Sequence, residues 1–484
     1  MAIQLFLVFG ALLAILWLIG RKQQQLTFSI LSAGFIIKII AGILFLNIYT
    51  HHYGNGTLSA DAEQFMREGK VLNEVYDQSK GDYFRLLFGF TDIRELGHKY
   101  LKATHHWDTN SQLLFNDNRN LMRVHSLIYF ISKGSLYVHM VIFSFISLLS
   151  IFLITNALKR YIHIKERYLF FILLLIPSVL FWSSSVLKEP ILFLGIGLFL
   201  YGISGAQSWK SKFPYLLSGI ALVLMFKPYI LLCLLPAVYI AWSYKKLALK
   251  GFLLQLISLI LIFITLVTTT PQGSKLTHKL SRKQFDFMNI SQGGMHLLGD
   301  SCFYYVAPED VKSVKVEGDT ALLSTNLYVE QFDYSYNYAP KTIELNRQKK
   351  YRIFFHRERS KSYISVTPIK DNPIQLILNI PESIINVLFR PFITDSGSWL
   401  ILPAVIETLL IWIFIFSGLR FAKRTNKTER TLIVGLITFI LLLSVLIGWV
   451  TPVLGAINRY RIPVIMALVI VGLILWSKRK KIEV

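Results

Sequence analysis

The sequence predicts an all-α polytopic membrane protein of about eleven transmembrane helices, and three observations carry that prediction. The 484 residues are 54% hydrophobic and only 16% charged, where a soluble chain carries about a quarter charged residues. Apolar runs suited to crossing roughly 30 Å of hydrocarbon recur along the chain. The basic residues gather in alternate short connections between those runs. A net charge of +23 invites a nucleic-acid partner, but the basic residues neither form a polar domain nor interleave with aromatics for stacking. No nucleic acid is expected.

The runs fall near residues 2–20, 26–48, 135–157, 168–184, 191–205, 214–226, 229–243, 252–270, 399–419, 431–449 and 462–476. Alternate connections carry Arg21 and Lys22; Lys159, Arg160, Lys165 and Arg167; Lys210 and Lys212; Lys245, Lys246 and Lys250; Arg420, Lys423, Arg424, Lys427 and Arg430; and 478–481. Only Glu166, Glu429 and Glu483 oppose them. By the positive-inside rule these loops are cytoplasmic. An odd number of spans then puts the N-terminus outside and the C-terminus in the cytoplasm. Residues 2–20 have basic residues behind rather than ahead, the reverse of a signal peptide, and are expected to be a retained span.

Five segments follow: two spans over 1–48, an outer loop over 49–134, central spans over 135–270, a large outer loop over 271–398, and the last spans over 399–484. The first loop shows helical apolar spacing over 101–115 and 121–131, as helices lying along the interface would. The second has a small polar, β-containing section, with strand-like pieces at Tyr351–His356 and Ser362–Pro368, and then another interfacial helix over 374–392. Cys233, in a span, and Cys302, in the large loop, suggest no disulfide framework.

Three outer turns share one pattern, a basic residue before a proline that opens an inward-going helix: Lys188-Glu189-Pro190, Lys227-Pro228 and Arg461-Ile462-Pro463, with Arg459 just ahead of the last. Proline suits a first helical turn, because its missing N–H would have no partner there. Each turn offers a cation and a helix N-terminus to an anion. Snorkelling to lipid phosphates would explain any one of them; three together point to one pocket for a lipid phosphate. On the first outer loop, Asp61 opens a short helix with Phe65 one turn on. A carboxylate there either caps the helix or accepts a proton from an acceptor hydroxyl or amine.

Asp61-Ala62-Glu63-Gln64-Phe65, and the polar turn from Trp182-Ser183-Ser184 to Lys188-Glu189 two spans later, resemble motifs of the GT-C superfamily of polyprenyl-phosphate-sugar-dependent membrane glycosyltransferases. The resemblance covers roughly residues 26–250 and is one of layout with short motifs. It implies a GT-C-like fold and an inverting transfer with Asp61 as the catalytic carboxylate. Lys188, Lys227, Arg459, Arg461 and Arg390 would bind the donor phosphate, supported by Glu189 and Phe65. The extra span over 2–20 and the second outer loop depart from the family pattern. The stretch 386–392 and the segment from Gly455 to Arg461 look instead like bacterial surface-polysaccharide membrane proteins.

Lys38 and Glu407 lie within spans, where each alone is costly, and are expected to neutralise each other. His51-His52 and His105-His106, with Asp108, carry donor atoms for a divalent metal, but adjacent histidines diverge in regular structure and no metal site is assigned. Asp117, Asn118, Arg119, Arg123 and His125 are expected in a loop that touches a sugar or faces water. The leading expectation is a bacterial inner-membrane glycosyltransferase that needs no cofactor and moves a lipid-linked sugar to a glycan, lipid or protein acceptor on the outer face. An O-antigen-type polymerase or ligase would lean on Arg390, Arg459 and Arg461 and not on Asp61. A flippase would need a polar path and internal symmetry, and neither is visible. The sequence has no Walker-type loop for an ATP-driven pump.

Overall fold

The computed structural model describes residues 2–89, 93–102, 104, 107, 116–204, 208–333, 341–395 and 399–479. The chain is mostly helical and divides into two compact units. The first comprises Met1–Val238, Phe414–Ile433 and Ile465–Val484; the second comprises Tyr239–Ile413 and Val434–Val464.

The first unit opens with α1 (Ala2–Gly20) and α2 (Phe28–Asn47), both largely apolar, with Lys38 the one charged residue in them. The segment expected as the first outer loop then folds into α3 (Ala60–Gln78), α4 (Lys80–Phe88), α5 (Ile93–Tyr100) and α6 (Asp117–Ser132). The expected helix over 121–131 is the C-terminal part of α6. Of 101–115, the described residues Leu101, Lys102, Thr104 and Trp107 are not helical; His105, His106 and 108–115 lie outside the described residues. Next come α7 (Leu136–Leu158), α8 (Glu166–Leu174), α9 (Pro177–Trp182), α10 (Glu189–Ser204), α11 (Trp209–Phe226) and α12 (Pro228–Lys246).

α10 packs between α7 and α11. The close approach to α11 depends on glycine: a Cβ on Gly219 would stand 2.5 Å from the backbone nitrogen of Phe199. Small residues let apolar helices approach where lipid supplies no hydrophobic drive.

The second unit holds α13 (Leu249–Thr269), α14 (Pro271–Gln292) and a seven-stranded antiparallel sheet. Its strands are β1 (Gly294–Leu298), β2 (Cys302–Val306), β3 (Val314–Glu317), β4 (Thr320–Leu323), β5 (Leu327–Asp333), β6 (Lys341–Leu345) and β7 (Lys350–Arg357), in the order β3-β4-β7-β1-β2-β5-β6. One face buries Met295, Leu297, Val306, Ala321, Leu323 and Val329, as period-two alternation dictates. The expected strand at Tyr351–His356 is β7. Ser362–Pro368 is not part of the sheet: Tyr363 bridges Val453, and Ile364 N–H donates to Pro452 O, so this stretch pairs with the 450–461 turn. Cys233 and Cys302 are free and buried.

The helix expected over 374–392 is two, α15 (Pro373–Leu378) and α16 (Ile380–Leu388), with the helical hydrogen bonding interrupted before Pro381. Trp449 Nε1 donates to Leu376 O and fixes α15 on α18 (Lys427–Val450), which follows α17 (Leu402–Leu419). α19 (Leu454–Tyr460) and α20 (Ile462–Trp476) complete the described helices and meet at a 56° bend.

Among the described residues, seven helical stretches are long and apolar enough to cross a membrane: Ala2–Gly20, Phe28–His52, Leu136–Leu158, Pro228–Lys246, Leu249–Thr269, Trp399–Leu419 and Lys427–Val450. The bent α19–α20 pair would make an eighth. The other three expected spans fall short of the length or hydropathy needed. The run over 168–184 is broken ahead of Pro177, α10 has 16 residues, and α11 begins polar and contains Pro214.

Gly219→Ala is expected to lower the thermal midpoint in detergent by several degrees, about 1–3 kcal/mol, because the clash is with backbone that cannot yield. Gly10→Ala, which meets nothing within 4 Å, is the matched control.

Candidate functional site

Two of the three basic turns come together in the first unit. Pro228 disfavours helical geometry at Lys227, which sits at φ −150° between α11 and α12. From there Lys227 Nζ donates to Glu189 Oε1 at 3.0 Å, with both side chains at most 5% exposed. Glu189 is the first residue of α10, where a carboxylate is favoured by the helix dipole. The neighbouring Lys188 donates from Nζ to Asp117 Oδ2 at 2.5 Å and to Asn118 Oδ1. Asn116 places those two acceptors, since its Oδ1 accepts from the backbone N–H groups of Asn118 and Arg119 and so starts α6.

The turn carrying Lys188 is not at the surface as its polarity suggested, because Ser183 through Glu189 are all buried. Each serine is satisfied locally. Ser183, Ser184 and Ser185 donate to the carbonyls of Val179, Leu180 and Trp182. Ser183 Oγ also accepts from Lys38 Nζ at 2.7 Å and from Ser147 at 2.9 Å. Lys38 is thus held by the serine turn and not by Glu407, whose charge lies beside Arg461 in the second unit.

A directed hydrogen-bond chain pins the same turn from α6. His125 Nε2 lies 3.0 Å from Val186 O, which can only accept, so Nε2 carries the proton. With both rings neutral, as their burial favours, His125 Nδ1 accepts from His139 Nδ1, 3.0 Å away, and His139 Nε2 accepts from Ser132 Oγ at 2.9 Å. Burial pulls His125 down to about 4, against the smaller opposing effect of the Val186 carbonyl.

Residues 117–125 are helix, not loop, and Arg119, Asn120, Arg123 and His125 are buried in it. Their i, i+4 spacing puts Arg119 and Arg123 on one face. Both guanidinium carbons lie 5.3 Å from the centre of the Trp107 ring. Arg123 Nε donates to Leu86 O at the end of α4, and its Nη1 donates to Asn120 Oδ1. Asn120 Nδ2 in turn reaches Met225 O, just before Lys227. Burial, and then the like charge of Arg119, draw Arg123 down to about 10. The sequence placed these arginines in a loop that touches a sugar or faces water; it carried no signal of their burial, because an arginine pair four residues apart occurs on solvated and buried helix faces alike.

Asp61 is exposed in the first turn of α3. Ser59 Oγ donates to Tyr49 O instead of capping that helix. Phe65, one turn on, is buried, and Lys188 Nζ lies 5.3 Å from its ring centre. Phe65 therefore joins the helix that carries Asp61 to the Lys188 cluster.

The remaining cations are in the second unit. Arg461 is 1% exposed and donates to the carbonyls of Val387 and Arg390 and to Thr408 Oγ1. Arg390 Nη1 lies 3.8 Å from Asp395, and Arg459 is half-buried. Arg461 thus anchors the 387–390 stretch. His51 and His52 are exposed, and among the described residues no group of three or more His, Cys, Asp or Glu is placed to hold a metal ion. Searches of protein-family models, curated proteins and solved structures find no match for this chain.

Two outcomes follow from this geometry. Lys227→Met leaves Glu189 buried without its cation and is expected to destabilise the protein by about 3–5 kcal/mol, while Lys227→Met with Glu189→Leu regains much of that in thermal unfolding. For pH the sign is set by His125, whose folded value lies below the ordinary 6.5. On acidification the unfolded chain takes the proton first. Stability is therefore held above pH 6.5 and lost as the pH falls toward 4, by on the order of 3 kcal/mol. A pH series of thermal midpoints is expected to show this fall, shallower in His125→Gln.

Proposed function

We propose that this chain is a GT-C-like inverting glycosyltransferase that takes a sugar from a polyprenyl-phosphate donor and passes it to a glycan, lipid or protein acceptor on the outer face of a bacterial inner membrane. The observation that carries the reading is the cation cluster at the starts of α10 and α12, with Phe65 joining it to the helix that exposes Asp61. Asp61 takes the proton of the acceptor hydroxyl, the oxygen bonds to the anomeric carbon, and the carbon–phosphate oxygen bond breaks. The departing lipid phosphate keeps the electron pair. Lys188 and Lys227 face that charge, held in place in the ground state by Asp117, Asn118 and Glu189.

Within the second unit, Arg461 fixes the loop that carries Arg390. The topology proposed has eleven crossings, with the 168–184 run, α10 and α11 as short ones, the N-terminus outside and the C-terminus cytoplasmic. The activated donor supplies the energy and no cofactor is required.

The test is transfer of radiolabelled sugar from a polyprenyl-phosphate donor in membranes containing the full chain. Asp61→Asn is expected to reduce transfer by roughly 100-fold or more while the protein stays folded. Full activity in Asp61→Asn together with loss in Arg459→Ala would replace this reading with an O-antigen-type polymerase or ligase.

A further inference from the structure

Arg123 is a buried cation that the proposed transfer does not use. It is 7% exposed, and no carboxylate lies within ion-pair distance of it among the described residues, whereas Lys188 faces Asp117 and Lys227 faces Glu189. Its Nε and Nη1 are taken by Leu86 O and Asn120 Oδ1, and its Nη2 has no partner among the described residues. Trp107, against which the guanidinium lies, is 3% exposed, and its Nε1 likewise has no partner among the described residues. Two unsatisfied donors thus sit on side chains in direct contact, and Arg119 adds a second positive charge against the same ring.

Chemistry narrows what fits. A guanidinium and an indole N–H can only donate, so the missing partner must accept. A sugar hydroxyl could accept here but would leave the guanidinium without a counter-charge. A buried ion is stable when paired with its opposite and hydrogen-bonded. The matching group is an oxyanion.

We propose that Arg123 Nη2 and Trp107 Nε1 form an oxyanion subsite, distinct from the Lys188–Lys227 cluster, that takes a carboxylate or phosphate oxygen carried by the substrate. The hydrogen bond from Asn120 to Met225 O ties this subsite to the Lys227 turn, so an anion bound there is registered against the transfer site. The subsite deepens the glycosyl-transfer reading and rests on it for the identity of the substrate.

The full chain in detergent, at constant ionic strength, is titrated separately with inorganic phosphate, D-glucuronate and uncharged D-glucose, and thermal midpoints are recorded. Phosphate, glucuronate or both are expected to raise the midpoint, and glucose is not. A response to phosphate alone that Trp107→Phe weakens assigns the subsite to a phosphate-bearing group, and one to glucuronate alone that Trp107→Phe weakens assigns it to an acidic sugar. Trp107→Phe keeps the ring and deletes only the donor, and is expected to raise the half-saturating anion concentration about tenfold. Arg123→Lys is expected to abolish the response; should that variant not fold, Trp107→Phe decides. No response to either anion, an equal response to glucose, or an unchanged response in Trp107→Phe would overturn the proposal. Binding needs no turnover, so an inactive Asp61→Asn protein that still responds, or an active one that does not, separates failure of this subsite from failure of the transferase reading.

Discussion

Pairing of buried charge is the constraint on which the first unit depends. A lysine or carboxylate removed from water must meet its opposite or a set of hydrogen bonds. Here Lys227 meets Glu189, and Lys188 meets Asp117 and Asn118. These contacts join three places that lie far apart in sequence: the start of α6, the turn before α10 and the break between α11 and α12. Moving any of the three segments would strand a charge, so the cluster sets their relative positions more tightly than apolar packing alone.

The rest of the unit serves that cluster through local rules. Prolines restart helices where a cation must be presented, as at Pro190 and Pro228. The serine turn satisfies its own hydroxyls and takes the ammonium of Lys38, so an ionisable group inside a span acts as a strut under the turn. From the other side the neutral His125–His139 pair carries a hydrogen bond to Val186 O. Lys188 is thereby held from both flanks.

Much of this was legible in the sequence. Lys188, Lys227, Glu189 and Phe65 stand out because a cation before a proline, or an aromatic one turn after an acid, is a local pattern. The membrane character follows from composition. The roles of Arg119, Arg123 and Trp107 were not legible, because an arginine pair four residues apart occurs on solvated and buried helix faces alike. The Lys38–Glu407 pairing failed for a related reason: two lone charges in spans suggest each other only when nothing shows that a serine turn lies nearer.

The sequence by itself determined an apolar, multi-helix chain, the gathering of basic residues in short connections, a β-containing section, and the cations that open helices at prolines. Those are consequences of period, charge and backbone chemistry over short stretches. Only the tertiary structure decided which cations meet, that α6 buries its arginines, that the 362–368 stretch pairs with 450–461, and that three apolar runs form short or broken helices. Such facts depend on which distant backbone comes within hydrogen-bond reach, a distance of about 3 Å that no local pattern encodes.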